Sequence, residues 1–484
     1  MFGHGVASGD LSDTSVVLWT RVDDDRSDMD DVRWEVRDER GAIVQEGRTR
    51  VDRRADATAR VVITGLLPDR RYTYAFCCDG VRSSTGRFKT LPAEAEHVRI
   101  AVVTCAKYNA GFFNVYRRLA ERDDLDFVIH LGDYIYEAAE RPPASQTPGA
   151  GIGRGFEPAH ECRTLADYRE RYALYRRDPD VQALHAAHAV MATIDDHELA
   201  DNAWEGGAQE HRDERDGPWP TRVGSALRAW HEWMPTALRP ADGDAIWRDI
   251  DLAPLARIAM LETRLERGRP DPDDDARSLF GDRQRRWLHD LLRDSGDVAW
   301  TMLGMPSMLA PIWSTELDGD AAFALKRLKL VDPETGEQFH DLGDSFPHER
   351  DALLEAISAA PSDTVIASGD LHVAIDAEVQ WHGGVVAHEW VAPSVTSQNL
   401  DDKMGWDPGT RSRTYEERFL AGAPHVSWCD FDSHGFLIVD LTLDEARCEW
   451  WAVDTVLRRS TGQKKIHEHT VRSRRSLEGP QTPA

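Results

Sequence analysis

Four short stretches of this 484-residue chain carry side chains suited to holding metal ions: Cys105, Asp133 with Tyr136, Asp196-His197, and Asp370-x-His372. Thiolate, carboxylate, phenolate and imidazole together form a metal-ligand inventory, and carboxylates placed between two cations can bridge them. Singly, each piece has an ordinary explanation. A Gly-Asp after a strand is usually a turn, a lone Cys is usually core, and a Tyr just past a strand end is usually packing. Asp195-Asp196-His197-Glu198 suits a helix start, with Asp195 as its cap and Glu198 in its first turn. Placement alters the balance. All four stretches follow apolar strand patterns of one α/β unit, so they are expected to share a site.

The elements that must position them are legible as alternating strands and helices. Residues 99–104 read as a buried strand, followed by a loop with Cys105, a helix, and a strand at 126–131 ending in Gly132-Asp133-Tyr134-Ile135-Tyr136. Short apolar runs with little alternation suit strands covered on both faces. Two such strands joined by one helix should be parallel, and chemistry in open parallel sheets gathers outside their carboxyl ends. A strand at 189–194 delivers Asp195 to Glu198, and one at 363–368 delivers Gly369-Asp370-Leu371-His372. Helices are expected at 165–175 (with arginines on its outer face), 222–233 and 281–292, and strands at 256–261 and 299–305. Later strands at 385–391, 436–443 and 448–454 suggest a second sheet facing the first. Residues 142–158 read as a long Pro/Gly-rich loop over the sheet ends, and 205–219 as a mobile polar loop. Substrate specificity belongs to these loops.

Residues 1–93 look all-β, as a sandwich that abuts or shields the main domain. Leu66, Pro68 and Tyr72 match the fibronectin type III corner, where the tyrosine hydroxyl bonds back to the chain. The domain reading is therefore 1–93 for the sandwich, 97–458 for the catalytic domain, and 459–484 for a frayed polar tail.

Composition excludes several classes. A formal charge of −27 argues against binding a nucleic-acid backbone or an anionic membrane surface. A phosphate-handling site in so acidic a protein needs local positive charge, and metal ions are the obvious source. No run of about 18 apolar residues marks a transmembrane helix. Six scattered cysteines are too few for a disulfide scaffold, and at most one of the adjacent Cys77 and Cys78 is expected in the core. The opening Met-Phe-Gly-His-Gly enters a strand pattern without a tripartite signal, leaving a cytoplasmic chain or one whose leader is left out as the two readings. A monomer is the default expectation.

Gly132-Asp133-Tyr134-Ile135-Tyr136, Asp195-Asp196-His197-Glu198 and Gly369-Asp370-Leu371-His372 resemble the motifs of calcineurin-like metallophosphatases, purple acid phosphatases among them. The more specific resemblance is to the alkaline phosphatase D (PhoD-like) family. It rests on Thr104-Cys105 in place of an Asp-x-His, on Asp195-Asp196-His197, and on Ser368 to His372. Phe2 to Arg21, Leu165 to Tyr175, Gln284 to Trp287, Trp390 to Asn399 and Asp432 to Phe436 are similar too, so the likeness spans nearly the whole chain.

The resemblance implies a four-layer α/β/β/α sandwich behind an N-terminal fibronectin III-like domain. It also implies an alkaline phosphomonoesterase or phosphodiesterase acting through a metal-bound hydroxide at a mixed Fe3+ and Ca2+ centre, with Mg2+ or Mn2+ as other occupants of the second position. Carried residue by residue, Cys105, Asp133, Tyr136 and His372 match the iron site. Asp133 bridges, and Asp196 and Asp370 match the second-metal positions. His197 matches the superfamily's catalytic histidine, with Asp196 beside it. Asn202, Asn399, Lys107 and Arg169 are candidate substrate contacts and His425 lies in a similar stretch, though a structural hydrogen bond is the commoner role for each. The partner is a small phosphoester. Members of the family usually carry a twin-arginine export signal, a pattern missing from this sequence. Two other readings stay open: a phospholipase D-like or nucleotide phosphodiesterase, and a non-catalytic phosphatase-like binding protein.

Overall fold

The computed structural model describes residues 1–23, 31–140, 152–238, 243, 245–269, 277–311 and 345–474. Part of the expected loop at 142–158 lies outside them.

Two small sheets form the N-terminal unit. One holds β1 (Val6–Gly9), β2 (Val16–Arg21) and β5 (Thr58–Ile63); the other holds β3 (Asp31–Arg37), β4 (Ile43–Arg50), β6 (Arg71–Cys78), β7 (Val81–Arg82) and β8 (Gly86–Lys89). Alternation along the strands turns Val16 and Leu18 toward Val32, Val36, Tyr72, Tyr74 and Phe76, so the sheets bury one face each against the other. At the corner the Leu67 N–H donates to the Tyr72 hydroxyl at 3.0 Å, as expected. Cys78 is buried and Cys77 only partly so. The sandwich is fastened to the larger unit by Trp19, whose Nε1 donates to the Glu232 carbonyl at 2.8 Å.

Two sheets face each other in the larger unit. The first has the order β11-β10-β9-β19-β20-β21, where β9 (His97–Val103), β10 (Phe127–His130) and β11 (Val190–Ala192) are parallel. Antiparallel β19 (Gly435–Thr442), β20 (Glu445–Val453) and β21 (Gln463–Arg472) extend it. In the second sheet, β13 (Ala256–Met260), β14 (Trp300–Met305), β15 (Asp363–Ser368) and β17 (Gly384–Val391) are parallel. β12 (Arg248–Leu252) and β16 (Ala374–Trp381) flank them antiparallel, and β18 (Val426–Asp430) pairs antiparallel with β16 at the edge.

Ile100, Val102 and Ile129 of the first sheet pack on Ile258, Met302 and Val365 of the second. Each such buried aliphatic contributes about 1.5–3 kcal/mol. The outer face of the first sheet is covered by α1 (Asn114–Ala120), α2 (Leu165–Arg177), α3 (Pro179–Ala187) and α5 (Trp219–Trp233), and that of the second by α6 (Gly281–Arg293) and α7 (Pro347–Ala359). Four layers, α/β/β/α, result, as expected.

Three expectations are corrected. The polar tail at 459–484 is not frayed where described: β21 pairs with β20 over its whole length. It is an edge strand, whose polar outer side makes it look like a tail in sequence. Residues 205–219 hold the short helix α4 (Asp213–Asp216) and are tied in place by Trp219 Nε1, which donates to the Glu205 carbonyl at 3.0 Å. In α2, Arg171 does not face solvent. It is fully buried and donates to the carbonyls of Tyr136 and, at 2.7 Å, Pro158.

Candidate metal centre

The carboxyl ends of the parallel strands in both sheets meet at one edge. Cys105 follows β9, Asp133 and Tyr136 follow β10, and Asp195 and Asp196 follow β11; from the second sheet, Arg264 follows β13, Asp370 and His372 follow β15, and Ser397 follows β17. The backbone is bent sharply to present them. Cys105, Asp133, Asp370 and His372 all have positive φ, between 56° and 70°. Left-handed geometry at non-glycine residues costs about 1–3 kcal/mol each and persists only where the surroundings enforce it. Glu198 supplies part of that enforcement, accepting the N–H groups of Asp133 (2.9 Å), Tyr134 (2.6 Å) and Asp195 (2.8 Å) and so joining two strand-end loops. Gly132, at φ 101°, runs so close to this junction that a Cβ would lie 2.5 Å from the Asp195 nitrogen.

Three overlapping donor groups result, each with ligand atoms within 4.8 Å of one another: Cys105, Asp133 and His372; Asp133, Asp196 and His197; and Asp195, Asp196 and Asp370. Tyr136 joins the first group, its hydroxyl donating to Asp133 Oδ2 at 2.7 Å and lying 3.2 Å from His372 Nε2. The Ser397 hydroxyl donates to the Tyr136 oxygen at 2.6 Å, and the Gln398 carbonyl faces His372 Nδ1 at 3.1 Å, so the loop after β17 aims both side chains. Thus Cys105, Asp133, Tyr136, His372, Asp196, His197 and Asp370 are all brought together.

The electrostatics of this pocket fit a cation. Burial, then the charges of Asp133 and Asp370, push the Cys105 thiol up. Burial likewise raises Asp133, with Asp196, Asp195 and Glu198 adding to the rise against His197, and it raises Tyr136, with Asp133 and Cys105 adding. Asp196 differs: burial raises it, but Arg264, His197 and the Asn202 N–H outweigh burial and hold it well below the usual range. Its Oδ1 is nevertheless buried without a hydrogen bond. A donor set in which burial and mutual negative charge hold thiol, phenol and carboxyl up, beside a carboxylate oxygen with no hydrogen bond, fits a bound cation.

The softer candidates separate. Lys107 lies at the site, with Nζ 5.3 Å from the centre of the Tyr136 ring. The Asn202 N–H donates to Asp196 Oδ2 at 2.6 Å, but its side chain turns to Gln209. Asn399 caps the helix that follows it and donates to the Asp432 carbonyl, and His425 Nε2 meets the Pro311 carbonyl at 2.5 Å. Arg169 is not brought to the cluster. It forms a two-pronged ion pair with the buried Glu232, both contacts at 2.6 Å, because its helix position faces α5 rather than the strand ends.

Three residues beyond the sequence-based set belong to the site. Glu137 lies 2.7 Å from His197 Nδ1, and its other oxygen accepts the Asp201 N–H at 2.8 Å. Arg264 contacts Asp195, and Ser397 contacts Tyr136. Glu137 directly follows the Tyr136 motif and Arg264 follows a strand pattern, so the strand-end rule that picked the others could have found both.

Comparison with known proteins accords with this arrangement. The family model of PhoD-like phosphatase matches residues 100–450, and that of the PhoD-like phosphatase N-terminal domain matches residues 1–92. Alkaline phosphatase D of Bacillus subtilis (strain 168) is 28% identical over 482 residues, covering 93% of this chain and 77% of that protein. A solved structure described as PhoD superposes with a TM-score of 0.85 at 25% identity, covering 98% of this chain and 90% of that one. With its strand-end donor groups, two-sheet core and N-terminal sandwich, the chain belongs to the PhoD-like phosphatase family and is a metal-dependent phosphoric ester hydrolase.

Proposed function

We propose that this protein hydrolyses small phosphate mono- or diesters at a mixed centre. Cys105, Asp133, Tyr136 and His372 would hold Fe3+, and Asp196 and Asp370, with Asp195 beside them, would hold Ca2+, Mg2+ or Mn2+. The observation that carries this reading is the contrast between adjoining donor groups: thiol, phenol, imidazole and carboxylate in one, carboxylates alone in the other. Thiolate and phenolate favour a high-valent transition metal, and hard carboxylate oxygens favour calcium or magnesium. Bound metals would supply Lewis acidity toward water and the phosphoryl oxygens.

The chain's own groups then divide the remaining work. Glu137 holds His197 by Nδ1, which leaves Nε2 as the atom able to hand a proton to the leaving oxygen. Asp133, which belongs to two donor groups, stands between the metal positions. Lys107, over the Tyr136 ring, adds positive charge where a phosphate dianion would sit. Ser397 and the Gln398 carbonyl keep Tyr136 and His372 aimed without entering the reaction.

Elemental analysis of the purified protein, paired with its visible spectrum, tests the reading. About one iron per chain, a Group 2 metal beside it and a broad visible band are expected from thiolate and phenolate on Fe3+. A protein that takes up no transition metal even after reconstitution would remove the mixed centre from consideration.

A further inference from the structure

Arg264 lies within the carboxylate half of the centre, although an arginine is no ligand for a metal. Its placement is built rather than incidental. Gln284 of α6 accepts the Glu262 N–H at 2.9 Å and donates to the Glu262 carbonyl at 2.6 Å. The Glu262 carboxylate in turn accepts the N–H groups of Arg264 and, at 2.7 Å, Leu265. The guanidinium these contacts position is fully buried. Its Nε donates to Asp195 Oδ1 at 2.5 Å, and its Nη2 lies 3.7 Å from Asp196 Oδ1 and 3.8 Å from Asp370 Oδ2. The two longer separations are beyond hydrogen bonding, so the oxygens of Asp196 and Asp370 feel the charge without being capped by it.

We propose that Arg264 is a positioning residue that acts as a resident counter-cation: it keeps Asp195, Asp196 and Asp370 together before the second metal arrives and moderates the affinity for that metal. The inference rests on the proposed cation-binding role of this half. Three carboxylates with oxygens within 4.8 Å would repel one another in a buried pocket. A guanidinium set among them offsets part of that repulsion. Stabilisation of the metal-free state by Arg264 is then opposed to binding, because the arriving cation meets a like charge already in place. Linkage requires the two effects to be reciprocal.

The test uses the full chain stripped with chelator, as wild type, R264M and R264K. Melting temperature is read without metal and in saturating Ca2+, and Ca2+ alone is titrated calorimetrically. Arg264→Met is expected to lower the metal-free melting temperature far more than the calcium-loaded one. It should also tighten Ca2+ binding, about tenfold if the coupling is of ordinary size. Arg264→Lys, which keeps the charge but loses the fork, should fall between. If R264M folds only when Ca2+ is present, that too supports the proposal, and R264K supplies the affinity. An equal fall in both melting temperatures with unchanged affinity, or weaker Ca2+ binding in both variants, would overturn it as a packing role. Wild type that binds no divalent cation would instead overturn the underlying site reading, and this proposal with it.

Discussion

In the half of the centre built from Cys105, Asp133, Tyr136 and His372, burial and mutual negative charge push the thiol, carboxyl and phenol up. In the half built from Asp195, Asp196 and Asp370, a buried guanidinium holds Asp196 down despite its burial. On the proposed reading, the first half would reach its charged state together with its metal and release protons on binding. In the second half Asp196 is held in its charged form beforehand. This difference predicts a tightly retained ion in the first half and an exchangeable one in the second. Brief chelation should remove activity that Ca2+ alone restores while iron content stays constant; joint loss of both metals would break the comparison.

Substitutions sharpen it further. Asp133 belongs to the first half and shares a donor group with Asp196 of the second, so Asp133→Asn should cost the most: about a thousandfold or more in kcat/KM, with metal content measured alongside, since several kcal/mol of charge stabilisation are lost. Cys105→Ala should cost about a hundredfold and shift or abolish the visible band while Ca2+ affinity holds. Unchanged iron content and rate would sink the mixed-metal assignment. Glu137→Gln keeps every metal ligand and loses only the carboxylate facing His197. A loss of about ten- to a hundredfold in kcat is expected, steeper for esters with poor leaving groups than for good ones.

The smallest effect lies outside both halves, where Asp376 of β16 meets His467 Nε2 at 2.9 Å and His469 Nδ1 at 2.8 Å, tying the edge strand β21 to the opposite sheet. The bond to Asp376 raises His469 against its burial. Burial raises Asp376, but bonds to both histidines outweigh it and bring it to about 2. A raised histidine contributes stability that is complete below its unfolded value near 6.5 and is lost as pH rises through the folded value. A depressed carboxylate contributes stability that is complete above about 4 and is lost as pH falls toward about 2. His469→Gln should therefore destabilise by about 0.5 kcal/mol at pH 5.5 and by less at pH 9, read from denaturant midpoints, with activity per folded chain unchanged.

Much of this architecture was legible in residue order. Apolar runs at 99–104 and 363–368 set the strands, and the polar residue types just past them marked the candidate ligands, because parallel strands share one functional edge. What misled was polarity without context. Gln463–Arg472 looks like a tail because an edge strand with one solvated side carries as many charges as a disordered end. Arg169 and Arg171 look alike on paper, yet one pairs with Glu232 at the domain junction and the other is buried against the carbonyl of Tyr136. Helix periodicity does not say which neighbour each face will meet.

By itself the amino-acid sequence determined the order of strands and helices, the two-domain layout, and the ligand types brought to the site, since these depend on local pattern and on strand-end placement. Tertiary structure alone decided that Arg264, 68 residues after Asp196 in the chain, enters the carboxylate half, that Glu137 faces His197, and that Ser397 aims Tyr136. Such choices depend on how two sheets converge, and a buried charge settles where the summed field of all its neighbours, near and far in sequence, best offsets the loss of water.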